Sequence, residues 1–519
     1  MADARLGLVR AGLVAGVAAL AIGPGLAGSA RLSYHEAFVA QSAREMIASG
    51  DALVPTIDGR PWLEKPPLAC WLVAGLGRLS GQVGAFEARL PSAVAAGALA
   101  LGLAVLVARR SGPDAGLLAG AVQATVGWAV ARGRLAEADI LLACLVTWSF
   151  AAFDRLRPST AESPISTGWR WAFFALLGLT SLAKGIGFGA ALLAAGAVAT
   201  WAWDRDRRLL RALAWPVGWA LSALIALAWP ALVLARHPEA LGLWTLHVAD
   251  RLADRPEHFA GSSPWWFYGP MALGLALPWT PLAIAGAWRS ARRAAGPGGR
   301  GGVDRLLWAW AVAPLVLLST ASVKNGHYAI HTMPPWSAWA ALGLIGLGGR
   351  LARRGWSPSR VRRAAAWAFG ALALAYGLGH AGLGPRYDRR GLEWAFYEAA
   401  GRSLGADEPL ALLYDDWDRD PYPTPFGPVP HDLAVRLFYL DRPAAWRANP
   451  AALASQPVAR AGSPFGVIAR ERDLPDLLQL GRIEALARGP STRWDRTFAL
   501  YRVRPGAVAV ANRRLVPGP

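Results

Sequence analysis

Only three of the 54 basic residues in this 519-residue chain are lysines: Lys65, Lys184 and Lys324. A bare ammonium is a compact point charge suited to one phosphate oxygen, whereas a guanidinium prefers a flat contact with two oxygens. A chain that uses arginine almost everywhere, yet places lysine beside Glu64, in Leu-Ala-Lys184-Gly and four residues before Tyr328, therefore points to phosphate contacts at those places. The bland alternative is a lysine that snorkels at a helix end and meets the helix dipole. Three carboxylates in comparable settings, Glu36, Glu64 and Asp139, have the chemistry of a general base toward a hydroxyl.

The stretch Ser33 to Leu68 carries most of these groups. Ser33 and Glu36 have the spacing of a capping box, Glu36, Ala40, Ala43 and Ile47 share a helical face, and Gly50 stands where that helix should end. The segment follows the first apolar run and is too polar to cross a bilayer, so it is expected to lie on the membrane surface. Read alone, Glu36 caps a helix, and Glu64 with Pro66 and Pro67 opens the next one. Asp139 starts another apolar run after Arg132, Arg134 and Glu137, where a carboxylate suits a helix N-terminus.

The order of short motifs in this stretch, Ala43-Arg44-Glu45-Met46, Ser49-Gly50-Asp51, Leu53-Val54-Pro55 and Glu64-Lys65-Pro66-Pro67-Leu68, resembles the first external loop of the polyprenyl-phosphate-dependent C-type glycosyltransferases. This group holds the protein O-mannosyltransferases of glycosyltransferase family 39 and the lipid A aminoarabinose transferases. Further matches are Leu-x-Lys184-Gly, Ser322-x-Lys324 with Tyr328 and Pro334-Pro335, Pro264-Trp265-Trp266 and Leu277-Pro278-Trp279, so the resemblance covers residues 8–384. It implies that Asp139 belongs to an active site and that Lys65, Lys184 and Tyr328, with Lys324, contact the donor phosphate. One departure stands out: the family opens this loop with Asp-Glu, and here the pair is His35-Glu36. The aspartate usually taken as base is absent, which leaves Glu36, His35 or Asp139 for that role.

Composition agrees with a membrane setting. With 54% hydrophobic residues, 26 Trp and 17% charged residues, the chain is more apolar than a soluble protein of this length requires. Cys70 and Cys144 sit in apolar runs, which excludes a disulfide framework. The net charge of +19 does not indicate nucleic acid, because the arginines sort by side of the membrane. Apolar runs at 8–29, 87–108, 115–131, 138–153, 169–184, 186–203, 212–235, 264–288, 306–321, 327–348 and 364–384 give about eleven transmembrane helices. The first is read as a retained helix rather than a cleaved signal, and 66–79 as a short interfacial helix. Arg109-Arg110, Arg155 with Arg157, Arg205 to Arg211, Arg289 to Arg293 and Arg350 to Arg363 then fall on the cytoplasmic side, and the candidate site faces outward.

The expected architecture is thus a polytopic α-helical membrane protein of the bacterial cytoplasmic membrane, with a C-type glycosyltransferase domain at 1–384 whose first external loop is 30–86. Residues 385–519 form a small external α/β domain with strands at Pro409–Asp415, 465–470 and Thr497–Val503 and a helix at 431–440. The implied reaction moves a sugar from a polyprenyl-phosphate donor to a lipid, glycan or protein acceptor, with inversion. No cofactor is certain. A divalent metal on Glu64, His247 and His258 is a weaker reading, since imidazole and carboxylate both suit zinc. Two rivals remain: a transporter or flippase of polyprenyl-linked sugar, against which the absence of an internal repeat speaks, and a non-catalytic relative that only binds polyprenyl phosphate.

Overall fold

The computed structural model describes residues 6–28, 30–157, 165–245, 263–296, 302–387, 391–413, 425–426, 432–447, 452–453, 463–491 and 497–505. His247, His258 and the acidic run at 415–418 lie outside the described residues. From the amino end the helices are α1 Leu8–Ile22, α2 Tyr34–Ser49, α3 Leu68–Ser80, α4 Ala85–Ser111, α5 Pro113–Thr125, α6 Gly127–Gly133, α7 Ala138–Leu156, α8 Thr167–Lys184, α9 Phe188–Asp204, α10 Arg207–Leu213 and α11 Pro216–Arg236. Helices Tyr268–Leu275, Thr280–Ala295, Val303–Ser319, Pro334–Arg353 and Pro358–Tyr387 follow. Each of the eleven apolar runs holds helix. By length and composition alone, three of the described helices, Ala85–Ser111, Pro216–Arg236 and Pro358–Gly384, are long and apolar enough to cross a membrane, and a bent pair makes up to four.

Several of the expected spans are not single α-helices. The run 115–131 breaks at Val126, which takes an extended conformation between α5 and α6. The run 264–288 is the bent pair, Tyr268–Leu275 and Thr280–Ala295, which turn by 112°. The two breaks meet, with the Gly127 amide donating to the Leu277 carbonyl at 2.9 Å. Proline at 278 has no amide to continue the first helix, and the Leu277 carbonyl, left without a helical donor where that helix ends, finds one on a neighbouring broken helix. The run read from 327 begins as a 3-10 turn, Gly326–Thr332, and becomes an α-helix only at Pro334-Pro335, where proline suits the first turn.

The surface loop folds as its local chemistry dictates. Ser33 Oγ accepts the Glu36 amide at 3.4 Å and Glu36 Oε2 accepts the Ser33 amide at 2.9 Å, closing the capping box of α2, and Gly50 ends it at φ 76°. A two-residue hairpin follows, β1 Thr56–Ile57 and β2 Arg60–Pro61, with Asp58 and Gly59 both at positive φ. Glu45 on α2 holds that turn by accepting from Thr56 Oγ1 at 2.7 Å and from the amides of Asp58 and Gly59 at 2.9 and 3.1 Å. Indoles of Trp229 and Trp244 bond the Leu53 and Leu63 carbonyls at 2.9 and 2.8 Å. The loop that ends in Glu64-Lys65 is therefore held at both ends. Helix α3 buries Ala69, Cys70, Val73, Ala74 and Gly77 and leaves Leu72 and Leu79 exposed.

Residues after 391 contain a helix Gly391–Arg402 and a five-stranded mixed sheet of order β4-β3-β5-β7-β6. Its strands are β3 Leu410–Leu413, β4 Ala445–Arg447, β5 Phe465–Arg470, β6 Arg482–Ser491 and β7 Thr497–Arg504. The central pairs β3 with β4 and β5 are parallel, and β7 pairs antiparallel with β5 and β6. Strands β3, β5 and β7 fall where apolar runs were read. Strand β6 escaped notice because Gly489-Pro490 interrupts its pattern. The helix Leu433–Leu440 packs on α2: Arg44 donates to the Val83 carbonyl at 3.1 Å and the Phe438 carbonyl at 2.7 Å, and Tyr439 Oη accepts the Leu32 amide at 2.6 Å.

At the end of the helices away from the surface loop, Asp154 of α7 is buried against Arg109, Arg110 and Arg157, and Asp204 of α9 joins Arg157 to Arg305. Three of the arginines read as cytoplasmic, Arg109, Arg110 and Arg157, thus lie in one buried ion network.

Candidate functional site

Four separate segments meet at the opposite end of the helices. The α7 N-terminus brings Asp139, the α8 C-terminus brings Lys184, the loop before α3 brings Glu64 and Lys65, and the 3-10 turn brings His327, Tyr328 and His331. Lys184 Nζ bonds Asp139 Oδ1, and the same ammonium sits over the Tyr328 ring at 4.5 Å and the Phe188 ring at 5.9 Å. The Lys184 side chain is 12% exposed. Cation and ring attract through the ring quadrupole, so Tyr328 also fixes the line of the ammonium.

Lys65 lies among anions. Burial works to lower its pKa, but Glu64, Asp139, Glu137 and Tyr328 outweigh burial and hold it above the ordinary lysine value. It stays charged in a site that excludes much of the solvent, where an ammonium meets a phosphate most strongly. Glu137, the N-cap position of α7, is ion-paired with Arg132 and has its pKa raised, first by burial and then, against the pull of Arg132, by the neighbouring Asp139.

Glu36 is bound differently. Its carboxylate is 1% exposed and already receives four donors: the Ser33 amide, Arg89 Nε at 2.7 Å, Arg89 Nη2 at 3.3 Å and the Ala136 amide at 3.2 Å. Arg89 spends its other protons on the carbonyls of Leu26, Ala30 and Arg31 at 3.3, 2.9 and 3.2 Å. This pair ties the exit of α1, the start of α2, helix α4 and the turn before α7 into one unit. His35 is exposed, with its ring 3.9 Å from that of Tyr34.

Lys324 is buried, and its Nζ donates to the carbonyls of Ser263 at 2.9 Å and Ala321 at 2.6 Å, while the Ser263 amide bonds the Ser322 carbonyl at 3.1 Å. It stitches two chain segments. Replacing it by methionine is expected to lower stability by about 2 kcal/mol, the scale of lost bonds from a charged group, with a matching fall in the thermal midpoint of the purified protein. An unchanged midpoint would remove this structural role.

The sequence reading used Glu137 and Arg132 only as flanks of Asp139, and did not single out Arg89, His327 or His331. Arg89 had a signal, since Glu87 and Arg89 charge the start of an apolar run. His331 had none. It is buried, and neither ring nitrogen has a hydrogen-bond partner among the described residues. Among the described residues no group of three or more His, Cys, Asp or Glu is arranged to hold a metal.

Residues 32–247 match the family model described as dolichyl-phosphate-mannose-protein mannosyltransferase. The undecaprenyl phosphate-alpha-4-amino-4-deoxy-L-arabinose arabinosyl transferase of Edwardsiella ictaluri is 31% identical over 305 residues, 57% of this chain and 52% of that protein. Its counterpart in Aeromonas salmonicida is 30% identical over 327 residues, 59% of this chain and 55% of that protein. The chain thus spans about half the length of the curated relatives it matches. The crystal structure of ArnT from Cupriavidus metallidurans bound to undecaprenyl phosphate superposes with a TM-score of 0.72 at 20% identity, covering 97% of this chain and 99% of that one. The archaeal oligosaccharyltransferase AglB from Archaeoglobus fulgidus superposes with a TM-score of 0.55 at 14% identity, covering 86% of this chain and 64% of that one. Loop motifs, family match and superposition agree: the chain is a membrane protein with the C-type glycosyltransferase fold of these two structures, and its residues 32–247 are similar to the dolichyl-phosphate-mannose-protein mannosyltransferase family.

Proposed function

We propose that this protein transfers a sugar from a polyprenyl-phosphate donor to a lipid, glycan or protein acceptor at the outer face of the bacterial cytoplasmic membrane, inverting the anomeric carbon. The observation that carries this reading is the convergence of Lys65 and Lys184 on one carboxylate-lined site, from positions 119 residues apart in a chain with three lysines. Two ammonium groups with Tyr328 supply what a departing phosphate requires, and a carboxylate supplies what an acceptor hydroxyl requires. Glu36, saturated by donors, is assigned to positioning, and Asp139 to the reacting site. A divalent ion beside Glu64 remains a proposal for which the described residues offer no complete ligand set.

Transfer is tested with purified protein, an undecaprenyl-phosphate-linked aminoarabinose donor and a lipid extract from the host, by mass spectrometry of the products. Release of undecaprenyl phosphate with a glycosylated acceptor is expected. A flippase would leave the donor intact and move it between leaflets, and a binding relative would leave it intact and in place.

The orientation belongs to the same reading: eleven crossings put the amino terminus inside and the first loop and the residues after 391 outside. Ser80 and Ser359 are both exposed, so each accepts a cysteine without disturbing a core. A membrane-impermeant thiol reagent applied to intact spheroplasts is expected to label Ser80→Cys and to leave Ser359→Cys unlabelled until the membrane is opened. The reverse pattern would overturn the outward-facing site.

A further inference from the structure

We propose that Glu137 is the proton acceptor of the transfer reaction, with Asp139 serving to orient Lys184. This rests on the transfer reading above. His35 is exposed beside Tyr34 at the start of α2, and the geometry separates the carboxylates of the site by what each is already bonded to. Glu36 is closed off under four donors. Asp139 is committed to the ammonium of Lys184, and Glu64 is the carboxylate that acts most strongly on Lys65. Glu137 is ion-paired with Arg132 among the described residues, and its side chain is 14% exposed against 1% for Glu36.

The chain also holds Glu137 in place. Ser92 Oγ donates to its carbonyl at 3.4 Å, its amide donates to the Leu135 carbonyl at 2.8 Å, and the residue before it is pinned by Glu36. The charges of Arg132 from α6, Asp139 from α7 and Lys65 from the loop before α3 all act on its carboxylate, and Arg132 and Lys65 act likewise on His327 of the 3-10 turn. Burial and the Asp139 charge make Glu137 more basic than an ordinary glutamate, and Arg132 only partly offsets them. Two neighbouring carboxylates in unlike environments can divide the work, one holding charge and one exchanging a proton.

In the step itself, the acceptor oxygen bonds the anomeric carbon while the bond from that carbon to the phosphate oxygen breaks. The bonding pair leaves on the phosphate beside Lys65 and Lys184, and the hydroxyl proton passes to Glu137 Oε and then to solvent. A base acts only when deprotonated, so turnover should fall on the acid side as Glu137 protonates.

The experiment compares wild type, Glu137→Gln and Glu137→Asp in the full-length protein, with thermal midpoint, undecaprenyl phosphate binding and turnover against pH as readouts. Glu137→Gln is expected to cut turnover a hundredfold or more, the scale of a lost general base, with undecaprenyl phosphate affinity within about twofold. Glu137→Asp is expected to keep part of the turnover with its acid limb moved. Turnover of Glu137→Gln within threefold of wild type, or an acid limb that persists unchanged in it, would overturn the assignment while wild-type transfer still supports the reading beneath it. Should Glu137→Gln fail to fold, an acid limb in Glu137→Asp identical to wild type overturns it equally. A wild type that binds undecaprenyl phosphate without releasing it from the sugar-linked donor sinks the transfer reading itself.

Discussion

Exchanging Lys184 for arginine is expected to reduce transfer from a polyprenyl-phosphate sugar by a hundredfold or more, with the protein still folded and inserted. A lysine that only snorkels or meets a helix dipole needs a positive charge on a long stem, and arginine provides one. The Lys184 ammonium instead occupies a point between the Asp139 carboxylate and the Tyr328 ring, in a largely buried site. The wider, planar guanidinium cannot fill the same point, although it would keep the ion pair with Asp139. Losing a charge-assisted contact to a departing phosphate costs on the order of 3 kcal/mol in the transition state. Lys65→Arg should behave alike, because Lys65 lies among Glu64, Asp139 and Glu137 rather than at a helix end facing water. Turnover with the undecaprenyl-linked donor measures both. Wild-type rates in both variants would return the lysines to ordinary interface residues.

The second large effect concerns Glu36 and Arg89, and it is one of stability. Removing one member of a buried ion pair leaves the other without compensation and typically costs about 3–5 kcal/mol, whereas removing both costs less than the sum. Glu36→Gln and Arg89→Met are each expected to lower the thermal midpoint sharply, with the double variant above the level that additivity gives. Activity should fall as well, because Glu36 also bonds the Ala136 amide and so places the turn bearing Glu137 and Asp139. This loss should scale with the loss of fold. A Glu36→Gln protein that melts like wild type yet turns over a hundredfold slower would restore Glu36 as the base.

Local chemistry made much of the fold legible without coordinates. A serine three residues before a glutamate closes a capping box, a left-handed glycine stops α2, and Pro66-Pro67 stand directly before α3. The motifs of the first loop proved readable for a similar reason: Glu45 and Asp51 act over short stretches of chain, on the hairpin turn at 56–59 and on the Leu53 amide at 2.8 Å. Rare lysines in an arginine-rich chain marked out three positions from composition alone.

What composition could not do was tell the three lysines apart. Lys65 and Lys184 reach one site, while Lys324 binds two backbone carbonyls, a difference decided by how distant helices pack. The same holds for the carboxylates. Glu36 carries a base-like position in the sequence, but its partner Arg89 stands 53 residues away, and the packing of α4 and of the turn before α7 on the surface loop consumes the lone pairs that the Ser33 amide leaves. Helix breaks at Val126 and before Pro278 also required the tertiary structure, since each satisfies the other's backbone. Periodicity registers apolar length, which a broken and a continuous helix share. Hydrogen bonds between segments far apart in the chain leave no trace in it.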